Sequence, residues 1–127
     1  MINVHKQIEY WRTGAQEDWD AACLCIENGK TRHGLFFAPL ALEKILKAHV
    51  CRCTKSVPPR IHDLGKLFDL AQLPTGGLTH RQILVEMNQY NLEGRYPETM
   101  PPSPTLDKAK RLMKISNEVY GWLLNQL

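Results

Sequence analysis

Residues 57–74 read VPPRIHDLGKLFDLAQLP and set Arg60, His62 and Asp63 directly after a Pro-Pro pair, where a helix is expected to begin. A guanidinium and an imidazole at such a place could hold a phosphate, because the first N–H groups of a helix lack internal partners and carry partial positive charge. The imidazole could also move a proton. Asp63 needs no ligand to account for it, since a carboxylate in a first helical turn gains about 0.3–1 kcal/mol from the dipole. Arg60 and His62 fit that simple account less well and call for something negative nearby, either a bound phosphate or Asp63 itself. Asp63 is a poor orienting group for a His62 general base, because adjacent helical residues diverge by about 100°. The same motif offers no nucleophile, so a catalytic residue is not assigned.

Three further groups carry chemical potential. Glu43 and Lys47 stand one turn apart in the favourable order for an ion pair contributing about 0.2–0.5 kcal/mol, while Lys44 or Lys47 could instead face a groove shared with Arg60 and His62. Arg95-Tyr96-Pro97 follows Gly94. There the Tyr96 ring could stack on a base while Arg95 holds a phosphate, or the ring could seal the end of a bundle. Cys23 and Cys25 form one C-x-C pair and Cys51 and Cys53 another. Both pairs lie in helical patterns, where residues two apart diverge, and the pairs are expected about 30 Å from each other, too far for one zinc ion. The four thiols read as small apolar side chains of a reducing compartment, with no metal site and no cofactor.

The elements that must position these residues are helical. Ile8, Trp11, Ala15, Trp19, Ala22 and Ile26 recur at intervals of three and four, and Gly29 marks the stop of that helix. Residues 32–53 are apolar on several sides, as expected of a central helix, with Pro39 predicted to kink it near Leu35 unless the helix only begins there. Leu64, Leu67, Phe68 and Ala71 line a short third helix beginning around 61–63. Thr79 is the expected cap of a fourth, running to about Tyr90 with Ile83, Leu84 and Met87 inward. A proline-rich loop leads to a last helix capped by Ser103 or Thr105, with Leu106, Ala109, Leu112, Met113, Ser116, Val119, Tyr120 and Leu123 on its inner face. The pattern predicts an all-α bundle of about five helices in a single domain over residues 1–127.

Composition bounds what such a bundle could do. The chain has 127 residues, 43% of them apolar and 23% charged, which excludes a disordered or collagen-like chain. No run approaches the roughly 18 apolar residues of a membrane span, and the start MINVHKQIEYW lacks the pattern of a signal peptide, so a cytoplasmic protein is expected. A net charge of +3 does not announce a nucleic-acid binder, but the charge is uneven: residues 30–60 hold seven basic and one acidic side chain.

ALEKILKAH in the central helix, PPRIHDLGKL at the start of a short one and NQYNLEGRYP in a proline-rich loop, in that order, resemble the HEPN (higher eukaryotes and prokaryotes nucleotide-binding) domain over roughly residues 8–125. The resemblance implies an up-and-down bundle, commonly a homodimer, often produced beside a minimal nucleotidyltransferase in a toxin-antitoxin-like pair. Some members are ribonuclease toxins that carry an Arg and a His separated by four to six residues. No His of this chain has an Arg at that spacing; Arg60 and His62 are separated by one residue. The expectation is therefore a non-catalytic module that binds a nucleotide or RNA phosphate through Lys44, Lys47, Arg60, His62, Asp63, Arg95 and Tyr96. The alternative is a metal-independent ribonuclease toxin.

Overall fold

A computed structural model describes residues 2–74, 78–91 and 102–127. Their elements are α1 (Val4–Glu27), α2 (Thr31–Thr54), α3 (Leu64–Ala71), α4 (Leu78–Met87) followed by a 3-10 turn at Asn88–Tyr90, and α5 (Leu106–Gln126). The all-α bundle expected from periodicity is the observed architecture, and among the described residues there is no strand. No described helix is long and apolar enough to cross a membrane.

α1 and α2 form an antiparallel hairpin whose turn is built by Gly29. Gly29 holds φ +74°, its N–H donates to the Ile26 carbonyl at 3.0 Å, and the Lys30 N–H reaches back to Cys25 at 2.8 Å. That pair of bonds, with a left-handed glycine between, satisfies carbonyls that the end of α1 would leave open. Close packing of the hairpin depends on Gly34, where a Cβ would come within 2.5 Å of Ile26 Cδ1 and 3.2 Å of the Ala22 carbonyl.

α2 is the central helix and packs against all four others. Fourteen of its residues are buried, from Gly34 and Leu35 to Cys51, and they occupy every side of the helix. Pro39 lies inside it, and α2 neither begins nor ends there. The lost N–H bond costs about 3 kcal/mol in an exposed helix, and burial of the surrounding Leu35, Ala38, Ala41 and Leu42 offsets it.

The other faces follow the predicted stripes with two corrections. Leu106, expected on the inner face of α5, is exposed because it is the first helical residue and lies beyond the neighbouring elements. Thr79 is not the cap of α4: it falls inside a helix that already includes Leu78. α4 keeps Leu84 and Met87 buried, then tightens into the 3-10 turn that brings Tyr90 inward. Of the two cap candidates for α5 the structure selects Thr105, whose side chain accepts from the Lys108 N–H at 3.2 Å. The inner faces meet in one core cluster running from Ala15 and Trp19 through Leu42, Ile45 and Leu46 to Val119 and Leu123.

Candidate functional site: a groove between two helices and the proline-rich connection

The connection from α2 to α3 returns along the C-terminal end of α2. The Pro pair keeps helix out of Val57 and Pro58, the chain bends at Arg60 with the Ile61 N–H donating to the Pro59 carbonyl at 2.9 Å, and Asp63 then caps α3 by accepting from the Lys66 N–H at 3.2 Å. Asn88 completes the cap. Its Oδ1 accepts from the Leu64 N–H at 2.9 Å, and its Nδ2 donates to Asp63 Oδ1 at 3.3 Å. Asp63 is thus a structural cap, and two of the N–H groups that a phosphate would use at α3 are already taken by protein oxygens.

His62 finds its negative partner elsewhere than the sequence suggests. Its Nδ1 lies 3.0 and 3.1 Å from the two carboxylate oxygens of Glu43. Glu43 is 5% exposed and also accepts from Lys47 Nζ at 3.1 Å; Lys47 is 6% exposed. The Glu43–Lys47 pair therefore forms as its spacing predicts, but inside the protein. Lys47 Nζ also stands 5.3 Å from the centroid of the Trp11 ring, an additional favourable contact for a desolvated ammonium.

Lys47 and Arg60 face one groove. Gln7, Tyr10 and Trp11 of α1, Lys47 of α2 and the run Val57, Pro58, Pro59, Arg60 enclose about 390 Å³. Arg60 is exposed at its rim and has no ion pair among the described residues. Tyr10 is 68% exposed and stands edge-on to Trp11, ring centroids 5.1 Å apart. The Trp11 indole N–H is buried and has no hydrogen-bond acceptor among the described residues.

The remaining predicted residues separate from this group. Lys44 pairs with Asp18 of α1 at 2.8 Å and lines a neighbouring hollow of about 430 Å³ with Glu9, Tyr10, Thr13, Gly14 and Glu17. His62 and Asp63 are not part of the groove wall. Arg95 and Tyr96 lie outside the described residues. The basic segment 30–60 is also not a continuous positive face. Lys47 is matched by Glu43, Lys44 by Asp18, and Arg52 donates to the Gln126 carbonyl at the end of α5 at 2.7 Å. Of the lining residues only Lys47 and Arg60 belong to the predicted binding set; the α1 wall of Gln7, Tyr10 and Trp11 does not. The one signal in the sequence was Tyr10, an aromatic standing off the apolar stripe of α1.

The thiols occupy ordinary positions: Cys51 is buried, Cys53 exposed, and Cys23 and Cys25 intermediate. Burial pushes the Cys23 and Cys51 thiols above their usual range, which lowers their reactivity. Among the described residues no three metal-ligating side chains converge.

Comparison with known proteins bears on the fold and the family. The crystal structure of TT1696 from Thermus thermophilus superposes with a TM-score of 0.74 at 19% identity, covering 95% of this chain and 98% of that one, which establishes the shared fold. No curated protein matches the chain. Residues 8–127 match the HEPN domain, so the chain belongs to the HEPN family and, with it, to proteins of nucleotide- or RNA-related function.

Proposed function

We propose that the protein is a non-catalytic binding module that holds a nucleotide or an RNA phosphate in the groove between α1, α2 and residues 57–60, acting as a homodimer beside a nucleotidyltransferase. The observation that carries the reading is the meeting of Arg60, which has no ion pair among the described residues, with Tyr10 and Trp11 around one hollow of about 390 Å³. That volume falls in the range of roughly 300–1,000 Å³ common for small-molecule sites. Arg60 supplies a planar fork for phosphate oxygens, and Tyr10 supplies a ring for a base, a contact that costs little conformational entropy. Lys47 contributes as a wall rather than as the main anion ligand, because Glu43 already takes its charge.

The test is a titration of the whole chain with ATP and with a short RNA, recording amide and indole N–H shifts. Shifts at Arg60, Tyr10 and the Trp11 indole are expected, and Arg60→Ala should weaken binding about tenfold, as loss of a charge-assisted contact does. Silence at all three groups would remove the reading.

One observation favours the ribonuclease alternative: the carboxylate that Asp63 cannot supply to His62 is supplied by Glu43, and a carboxylate-held imidazole is the arrangement a general base requires. Purified protein and His62→Ala should be compared for RNA cleavage. Equal background in both is the outcome expected here; cleavage lost only in the variant would favour the toxin.

A further inference from the structure

A second hollow adjoins the groove at Tyr10. Gln7, Tyr10, Gly14 and Glu17 fall at i, i+3, i+7 and i+10, one stripe of α1, and Lys47 and Lys44 run antiparallel beside them one turn apart on α2. Tyr10 borders both hollows, that of Lys47 and Arg60 and that of Lys44 and Glu17. From Gln7 to Glu17 the path is about 15 Å at 1.5 Å per residue.

The two ends differ in sign. At one end is the Arg60 guanidinium. In the second hollow the Lys44 charge is taken by Asp18 at 2.8 Å, and Glu9 has Arg12 at 3.9 Å. Glu17 has no ion pair among the described residues, so it sets the local character. Gly14 keeps the floor low: a Cβ there would stand 3.2 Å from Lys44 Cδ, so the glycine leaves room for the lysine stem to lie across α1 toward Asp18.

The geometry points to a base-reading end at Glu17, selective for guanine. The assignment rests on the reading that the groove takes a nucleotide, with its phosphate on Arg60 and its base carried past Tyr10. An ionised carboxylate only accepts hydrogen bonds, through two oxygens side by side. Guanine presents two adjacent donors, N1–H and the 2-amino group, which match both oxygens at once. Adenine and cytosine place a ring acceptor next to their amino donor, and that acceptor would face the carboxylate with no proton between them. Hypoxanthine keeps N1–H and lacks the second donor.

GMP, IMP and AMP share one phosphate and one ribose, so their comparison isolates the base. Titrations of the full chain, followed by amide and Trp11 indole shifts, should rank them GMP, then IMP, then AMP, with about tenfold between the first and last, the lower part of the range for a bidentate pair. Glu17→Gln, at an exposed position where folding is not at stake, should bring GMP and AMP within about twofold while leaving the AMP shifts at Arg60 in place. Equal affinities for the three nucleotides, with Arg60 still responding, would overturn the guanine assignment alone. A GMP to AMP ratio unchanged by Glu17→Gln would also overturn it. No response at Arg60 to any of the three would remove the nucleotide reading and the base assignment together.

Discussion

At the scale of single residues, Glu43 governs more than its spacing suggests. Its carboxylate is buried and shared by the Lys47 ammonium and the His62 ring. Two opposite charges in a low-dielectric interior compensate each other, and removal of one strands the other. Glu43→Ala is therefore expected to destabilise the protein by about 3–5 kcal/mol. The double variant Glu43→Leu with Lys47→Met should recover most of that loss, because an apolar pair of similar volume leaves no unmatched charge. Urea unfolding of Glu43→Leu, Lys47→Met and the double variant checks this, and losses that simply add would show that the pair is not coupled. The sequence made the pair visible at positions 43 and 47. It did not make visible the burial, which makes breaking the pair cost several kcal/mol instead of tenths.

At the scale of elements, the helix ends are where sequence and structure agree most closely, because capping is local. Gly29 stops α1 and Asp63 starts α3, each through bonds to residues within a few positions. Gly29→Ala places a Cβ at φ +74° in open space, so the cost is conformational and about 1 kcal/mol. Two other helices end on residues that dislike the same conformation: Lys55 after α2 at φ 59° and Gln72 after α3 at φ 49°. Gly at either place should stabilise by about 0.5–1 kcal/mol, read as a rise in the midpoint of urea unfolding with unchanged slope. A fall in that midpoint at both positions would mean their side chains contribute contacts that outweigh the backbone strain. α4 was less legible. Its first residue, Leu78, is exposed and gives no periodic signal, and its last turn changes pitch at Asn88, where the side chain bonds α3 rather than its own helix.

At the scale of the whole molecule, α2 joins the ends of the bundle through contacts that span 74 positions. His49 Nε2 donates to the Leu123 carbonyl at 2.7 Å, and one turn on Arg52 donates to the Gln126 carbonyl at 2.7 Å. Both satisfy carbonyls in the last turn of α5, where a donor is favoured. Burial holds the His49 imidazole below its usual range; the Leu123 bond opposes that shift, and Arg52 adds to it. An imidazole whose folded pKa is depressed binds its proton more readily in the unfolded chain. Stability should thus be full above about pH 6.5 and decline as the pH falls below it, by at most about 1.4 kcal/mol per pH unit. His49→Gln, which keeps a donor but not a titrating ring, should flatten that part of the decline when both proteins are unfolded in urea at about pH 7.5, 6.5 and 5.5, values that bracket the ordinary imidazole range. Parallel declines would assign the acid sensitivity to other groups. At the alkaline end, Tyr120, pushed up to about 12 by burial and by Asp20, should withdraw stability as the pH rises past about 10, the ordinary value at which the unfolded chain loses that proton.

By itself the sequence determined the helices, their inward faces, the stop at Gly29, the beginning of α3 to within three residues of Leu64 and the family, because each depends on periodicity, on signals within one turn or on ordered motifs. It also brought Lys47 and Arg60 forward as members of one groove. Only the tertiary structure decided that Tyr10 and Trp11 complete that groove, that Lys44 belongs to the next hollow, and that Glu43 rather than Asp63 answers His62. Those facts turn on which helix lies beside which and on what each contact excludes from water. Residues 43 and 62 are 19 positions apart, and no local pattern reports whether a carboxylate so placed meets solvent or an imidazole.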